Sequence, residues 1–235
     1  MPADMKPVPL TLVVAATPSN AIGRNSTLPW RLSKEMAYFA RITKGEQPGR
    51  NAVIMGRKSW EGIPSRFRPL PERENVVVSR QEAFDLGGAP RTHLAPSLSS
   101  AVSLLRDLPP TSFADSTAPL DRVFLIGGAQ LYNSVLQEAA AAPSSTSSSS
   151  SSSPYLVDRV LLTRLSTEYP DCDTYLHDFA ADTTPDGNTM WRRASHDELR
   201  AWAGWDVPEG VQREQDKLVK GEEKAVEYEF QMWVR

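Results

Sequence analysis

The sequence predicts an α/β protein: a mostly parallel central sheet with helices on both faces and an antiparallel hairpin at its C-terminal end. Three observations carry this. Strand-like and helix-like runs alternate over the first two thirds of the chain. The first run, VPLTLVVAA at Val8–Ala16, is continuously apolar, as in a strand buried on both faces. The last run, at 225–234, alternates: Val226, Tyr228, Phe230 and Met232 are interleaved with Glu227, Glu229 and Gln231, giving one core face and one wet face.

The elements between follow in order. Residues 18–31 read as a long loop rich in Pro, Asn and Ser. Leu32, Met36, Phe39 and Ala40 fall at helical spacing, with Ser33 as a nearby cap. Residues 51–55 form a second strand, and GRKSWEGI a short helix. Strands follow at 75–78 and 91–95, then a helix over 97–107 capped by Ser97. A fifth strand at 122–126 runs into the helix GGAQLYNSVLQEA. Next comes PSSTSSSSSSSP at 143–154, which cannot bury apolar surface and is expected to be a disordered surface loop within one domain. A strand at 157–165 follows. Residues 190–195 pair with 225–234 as the final hairpin, and 196–224 is an insertion whose conformation the sequence does not reveal.

Composition bounds the function. With 235 residues, 40% hydrophobic and 23% charged, the chain suits one soluble domain over 1–235. A net charge of −3 and a pI near 5.7 give no global attraction to nucleic acid or to an anionic membrane. Cys172 is the single cysteine, and His93, His177 and His196 have no ligand spacing, so neither a disulfide nor a metal site is expected. A reducing, cytoplasmic compartment and a monomer are the simplest expectations. VPLTLVVAAT is short for a signal-peptide core and reads better as a buried strand.

Parallel sheets bind ligands beyond the carboxyl ends of their strands. Two strand ends share one grammar there, AVIMGRKSW and VFLIGGAQLY, each running from apolar strand to glycine to helix start. Glycine lets the backbone approach a ligand, and a new helix offers unpaired N–H groups. Two such turns could hold a pyrophosphate between them, although neither is a Walker loop or a G-x-G-x-x-G fingerprint. A third strand closes on Ser79–Arg80, where an arginine suits the extra phosphate of NADP better than an acid would; a solvated turn arginine fits that feature equally well.

These segments, with IGRNSTLPW, KEMAYFARIT, RPLPERENVVVSR, VLLTRL and DCDTYL, resemble dihydrofolate reductase in order and approximate spacing. The resemblance is to the monofunctional, eukaryotic type, and it implies reduction of 7,8-dihydrofolate to tetrahydrofolate by hydride transfer from NADPH. It further implies that Glu35 is the active-site carboxylate, beside Trp30 and hydrogen-bonded from behind by Thr163. Arg73 would pair with the glutamate-tail carboxylate of folate. Val13, Val14, Met36, Phe39, Ile63, Leu70, Ile126 and Tyr132 would line the substrate cleft. Ala15, Ile22 and Gly23 would meet the nicotinamide. Gly56, Arg57, Lys58 and Ser59 would form one pyrophosphate turn, and Gly127, Gly128, Ala129, Gln130 and Leu131 the other, with a cis Gly127–Gly128 bond. Arg57, Ser79 and Arg80 are the candidates for the 2′-phosphate. The loop over 17–31 would act as a lid.

The chain departs from the vertebrate pattern in three ways. WRLSKEM is one residue shorter than the double-proline form, Met36 replaces an aromatic ring, and the polyserine run and 196–224 lie outside the common pattern. Taken alone, Glu35 reads as an acid in a first helical turn, favoured by the helix dipole, and Arg73 as a surface partner of Glu72 or Glu74. The alternatives to the reductase are a same-fold reductase of another pterin or flavin precursor, and a non-catalytic folate- or nucleotide-binding homologue.

Overall fold

The computed structural model describes residues 6–44, 50–109, 120–141, 153–217 and 225–235. In chain order the strands are β1 (Val8–Ala16), β2 (Ala21–Gly23), β3 (Arg50–Gly56), β4 (Glu74–Val78), β5 (Thr92–Ala95), β6 (Leu120–Leu125), β7 (Tyr155–Leu165), β8 (Thr174–Tyr175), β9 (Arg192–Arg193), β10 (Val211–Gln215) and β11 (Ala225–Val234). The helices are α1 (Ser33–Lys44), α2 (Arg57–Gly62), α3 (Leu98–Asp107), α4 (Ala129–Ala141) and α5 (His196–Ala203).

Among the described residues one large sheet runs in the order β10-β11-β7-β1-β6-β3-β4-β5, with β9 on the far end of β11. Strands β7, β1, β6, β3, β4 and β5 are mutually parallel; β11 is antiparallel to β7, β9 and β10. Strand alternation divides the interior into two layers. Leu10, Leu12 and Val14 of β1 and Ile54 of β3 pack toward α3 and α4. Val13, Val53 and Met55 pack on the other face with Tyr38 and Ile42 of α1 and Leu199 of α5. Each such fully buried side chain contributes about 1.5–3 kcal/mol. Helices thus cover both faces, as the sequence predicts.

Ser97 caps α3 as expected, its hydroxyl accepting from Ser100 N at 3.1 Å. Several expectations need correction. Ser33 is the first residue inside α1; Leu32 is the residue whose carbonyl closes the first turn, accepting from Met36 N at 3.0 Å. The buried face of α1 is Glu35, Tyr38 and Ile42, while Met36 is exposed and Phe39 half-buried. On its sheet side Tyr38 stacks on Phe230, ring centroids 3.9 Å apart.

The segment 190–195 is the weaker partner of β11, meeting it through Arg193↔Trp233, Arg192↔Val234 and a bond from Ala194 N to Met232 O at 2.8 Å. The strand that completes the hairpin is β10, inside the supposed insertion, paired from Val211↔Glu229 to Gln215↔Ala225. The rest of that insertion contains α5, and 218–224 lie outside the described residues, as does most of the polyserine run. The wet face of β11 is also narrower than expected. Gln231 is buried, its amide donating to Glu229 Oε2 at 3.0 Å and accepting from Trp233 Nε1 at 3.2 Å.

Candidate active site

A cleft of about 1840 Å³ opens at the carboxyl edge of the parallel strands. Strand β1 contributes Val13, Val14 and Ala15 to its floor, and α1 runs along one wall. All the site residues expected from the sequence line this one cleft except Thr163. Thr163, on β7, sits behind the wall and donates its hydroxyl to Glu35 Oε1 at 3.2 Å. Met36, Phe39, Ile63 and Leu70 present an apolar rim and wall, to which exposed Leu28 and Phe67 add. Tyr132 lies at the base and donates to Val13 O at 2.5 Å, which ties α4 to β1.

Glu35 is the buried acid of this cleft, 7% exposed. Burial pushes its carboxyl up to about 7; Glu214 adds to the rise and the Thr163 hydroxyl opposes it. Above Glu35, Trp30 packs on Tyr169 with ring centroids 5.2 Å apart, and its indole N–H is buried without a partner among the described residues. A donor and a poised acid therefore share one end of the cleft.

Arg73 is 2% exposed and is no surface arginine. Its Nε donates to Pro71 O at 2.9 Å and its guanidinium to Thr43 Oγ1. Both neighbouring acids are engaged elsewhere: Glu72 with Lys44 at 2.6 Å, Glu74 with His93 at 3.0 Å and Arg50 at 3.9 Å. Burial lowers the Arg73 guanidinium to about 10. Among the described residues this buried cation makes no ion pair, and it borders the cleft. That combination fits an anionic ligand group.

The two glycine turns meet at the other end. Gly56 N donates to Gly127 O at 2.8 Å, so the ends of β3 and β6 form one surface. The Gly127–Gly128 peptide is cis, and Gly127 has φ +124°, open to glycine and strained for other residues. A Cβ at either glycine would stand 3.1 Å from Ser59 Oγ. Helix α4 begins directly after at Ala129, which leaves the first-turn N–H groups of Ala129 and Gln130 at the cleft end, while Leu131 N donates to Gly128 O at 3.0 Å. Of the cations there, Arg57 is held by Glu61 at 2.8 Å, whereas Lys58 and Arg80 are exposed. Ser79 is buried, its hydroxyl accepting from Gln81 N at 3.0 Å.

Ile22 and Gly23 come from the 17–31 loop, which carries a strand the sequence did not announce. β2 pairs with β8, Ala21↔Tyr175 and Gly23↔Thr174. Ser19 donates from both N and Oγ to Glu168 at 2.7 Å, and Asn25 N donates to Asp173 Oδ2 at 2.9 Å. Glu168, just before DCDTYL, and Asp173 within it thus fasten this loop. Sequence reasoning also missed Glu214 and Asp216, which reach the start of α1 from β10 and its end; no local pattern marks them.

A family model described as dihydrofolate reductase matches residues 9–146. The chain is 47% identical over 233 residues to the dihydrofolate reductase of Cryptococcus neoformans, covering 96% of this chain and 94% of that one. The chain belongs to the dihydrofolate reductase family. It is also 36% identical to the dihydrofolate reductase of Pneumocystis carinii, over 96% of each chain. Among solved structures it is similar to the Schistosoma mansoni dihydrofolate reductase, with a TM-score of 0.63, 27% identity, and coverage of 97% of this chain and 99% of that one. These are reductases of the monofunctional eukaryotic type, and the chain is an oxidoreductase of that family. The match to the Cryptococcus neoformans reductase covers 96% of the chain, so α5 and β10 lie within the matched length. Among the described residues no helix is long and apolar enough to cross a membrane.

Proposed function

We propose that this chain reduces 7,8-dihydrofolate to 5,6,7,8-tetrahydrofolate with NADPH. The observation that carries the reading is Glu35: a buried carboxyl, raised to about 7, at one end of a cleft whose other end is a double glycine turn. The residues fit the cofactor. The Gly56 and Gly127–Gly128 surface leaves room that a Cβ would fill. The α4 start offers N–H groups to a pyrophosphate, and Ser79 with Arg80 supplies a hydroxyl and an exposed guanidinium for a 2′-phosphate. When bound, NADPH supplies the hydride.

The chain's own residues do the rest. Glu35 offers two carboxyl oxygens to the amino and N–H donors of a pterin ring, a bidentate fit that fixes orientation. Its raised proton affinity keeps a proton in the site near neutral pH for delivery to the ring nitrogen. Thr163 holds Oε1 in place. Phe39, Ile63 and Leu70 exclude water from the ring and its linker. Arg73 takes the tail carboxylate with its planar fork. A reductase of a tail-less pterin or flavin precursor would leave that buried cation without an anion, which favours folate.

Loss of NADPH absorbance on adding dihydrofolate tests this, run beside NADH and beside Glu35→Gln. We expect rapid loss with NADPH, little with NADH, and a fall in turnover of roughly 10²–10⁴-fold in the variant, the span of general acid–base effects. Near-normal turnover in Glu35→Gln at neutral pH would overturn the role of Glu35. No loss with cofactor still bound would overturn the substrate.

A further inference from the structure

Helix α1 carries Glu35 but has no cap of its own. Leu32 closes the first turn and its side chain has no acceptor for the free N–H groups. Those groups are met from 180 residues away. Glu214, on β10, accepts from Lys34 N at 3.0 and 3.1 Å and from Glu35 N at 3.2 Å. Tyr228 of β11 donates to the same carboxylate at 2.9 Å. Just before the helix, Asp216 accepts from Arg31 N at 2.9 Å and from Tyr169 Oη at 2.7 Å, and Lys217 N donates to Arg31 O at 3.2 Å. The end of β10 straps the whole entry to α1.

We infer that Glu214 is a positioning residue for the reaction: fastened to the backbone N–H of Glu35, it fixes the start of the catalytic helix and lays a second negative charge beside the group that must hold a proton. This rests on Glu35 being the proton-holding group of the reductase. A Ser or Asn cap would satisfy the same N–H groups without charge; a carboxylate also cancels the positive end of the helix, which would otherwise favour ionised Glu35.

Several groups from the packed elements act on the Glu35 carboxyl. Thr163 on β7 donates to it and favours the anion. Tyr38 on α1, Tyr132 on α4 and Tyr228 on β11 are phenols held neutral, chiefly by burial, with the Glu35 charge adding to the effect. Lys34 turns its ammonium toward Arg213 O, 3.5 Å away. Glu214 is the like charge, and it acts in the same direction as burial, toward protonated Glu35.

The test is the titration of the Glu35 carboxyl in the full chain, followed by NMR of ¹³C-glutamate and assigned with Glu35→Gln. Glu214→Gln keeps an oxygen for the N–H groups and removes the charge; Glu214→Asp keeps the charge. We expect the Glu35 midpoint to fall by roughly 0.5–1 pH unit in Glu214→Gln, as removal of a nearby like charge requires, and to stay near that of the unaltered chain in Glu214→Asp. The alkaline limb of the pH–rate profile for dihydrofolate should move to lower pH with it. An unchanged midpoint in Glu214→Gln, with only thermal stability lost, would overturn the proposal and leave a structural cap. Should Glu214→Gln not fold, Glu214→Asn removes the same charge with a shorter amide: the Glu35 midpoint must fall there too, and an unchanged midpoint overturns the coupling. The carboxyl signal decides this even if the chain proves inactive on dihydrofolate, so the two readings fail separately.

Discussion

Glu35 sets function against stability at a single atom group. Its carboxyl is raised from 4.5 to about 7 in the fold. The folded state therefore binds more protons than the unfolded chain between those values, and stability must fall as pH rises through that window. Above it the full cost of the buried anion is present, on the order of 3 kcal/mol. Glu35→Gln should be more stable than the parent at pH 8 and close to it at pH 4.5, in denaturant melts at both. An equal difference at the two values would mean that the carboxyl is not ionising inside the cleft. At this scale the sequence was informative where the signal is local. Glu35 and Arg73 stand in recognisable strings, and the structure brings both to one cleft. That Arg73 is buried rather than a partner of Glu72 could not be read, because Lys44 takes Glu72 only once α1 lies beside the 70–73 turn. Glu214 was invisible for a similar reason: its partner amides are 179 and 180 residues distant.

The elements show where periodicity informs and where it misleads. β1, β3 and β4 were legible because strands buried on both faces must be apolar throughout. β10 was not: VQREQ has no apolar partner pattern, since it is an edge strand exposed on alternate residues and specified by its ladder with β11. In α1 the apolar residues Met36 and Phe39 follow helical spacing yet point at the cleft, while an acid takes a buried position. A site placed on a helix inverts the usual pattern, so the stripe marks the ligand side. The glycine turns were legible, but the contact between them was not. Its consequence is specific. Gly127→Ala forces a Cβ into a φ of +124° and to 3.1 Å from Ser59 Oγ, a strain of about 1–3 kcal/mol. We expect a lower melting temperature and a KM for NADPH raised more than that for dihydrofolate, measured in steady-state assays. Equal rises would show that the turn does not hold the cofactor.

At the scale of the whole molecule, one sheet takes strands from both sides of the polyserine segment, which supports reading the chain as one folding unit. Its cleft is lined by α1, α2, α4 and the ends of β1, β3, β4 and β6. A ligand that fills it touches elements from both core layers, so binding should stabilise the entire fold. NADPH at about one hundred times its Kd should add ~2.7 kcal/mol, or a rise of about 5–10 °C in melting temperature for a chain of this size. Calorimetry with and without NADPH checks this; a partial transition moving alone would mean that the layers melt separately. The position of β11 has one more consequence. It lies inside the sheet, between β7 and β10, yet it follows all its neighbours in sequence. During synthesis the ribosome releases β7 long before the strand that covers its edge. Until residues near 234 emerge, the nascent chain carries an open β-edge beside unsealed apolar layers, the kind of surface that chaperones hold and aggregates recruit. A premature stop between β7 and β11 would make that exposure permanent.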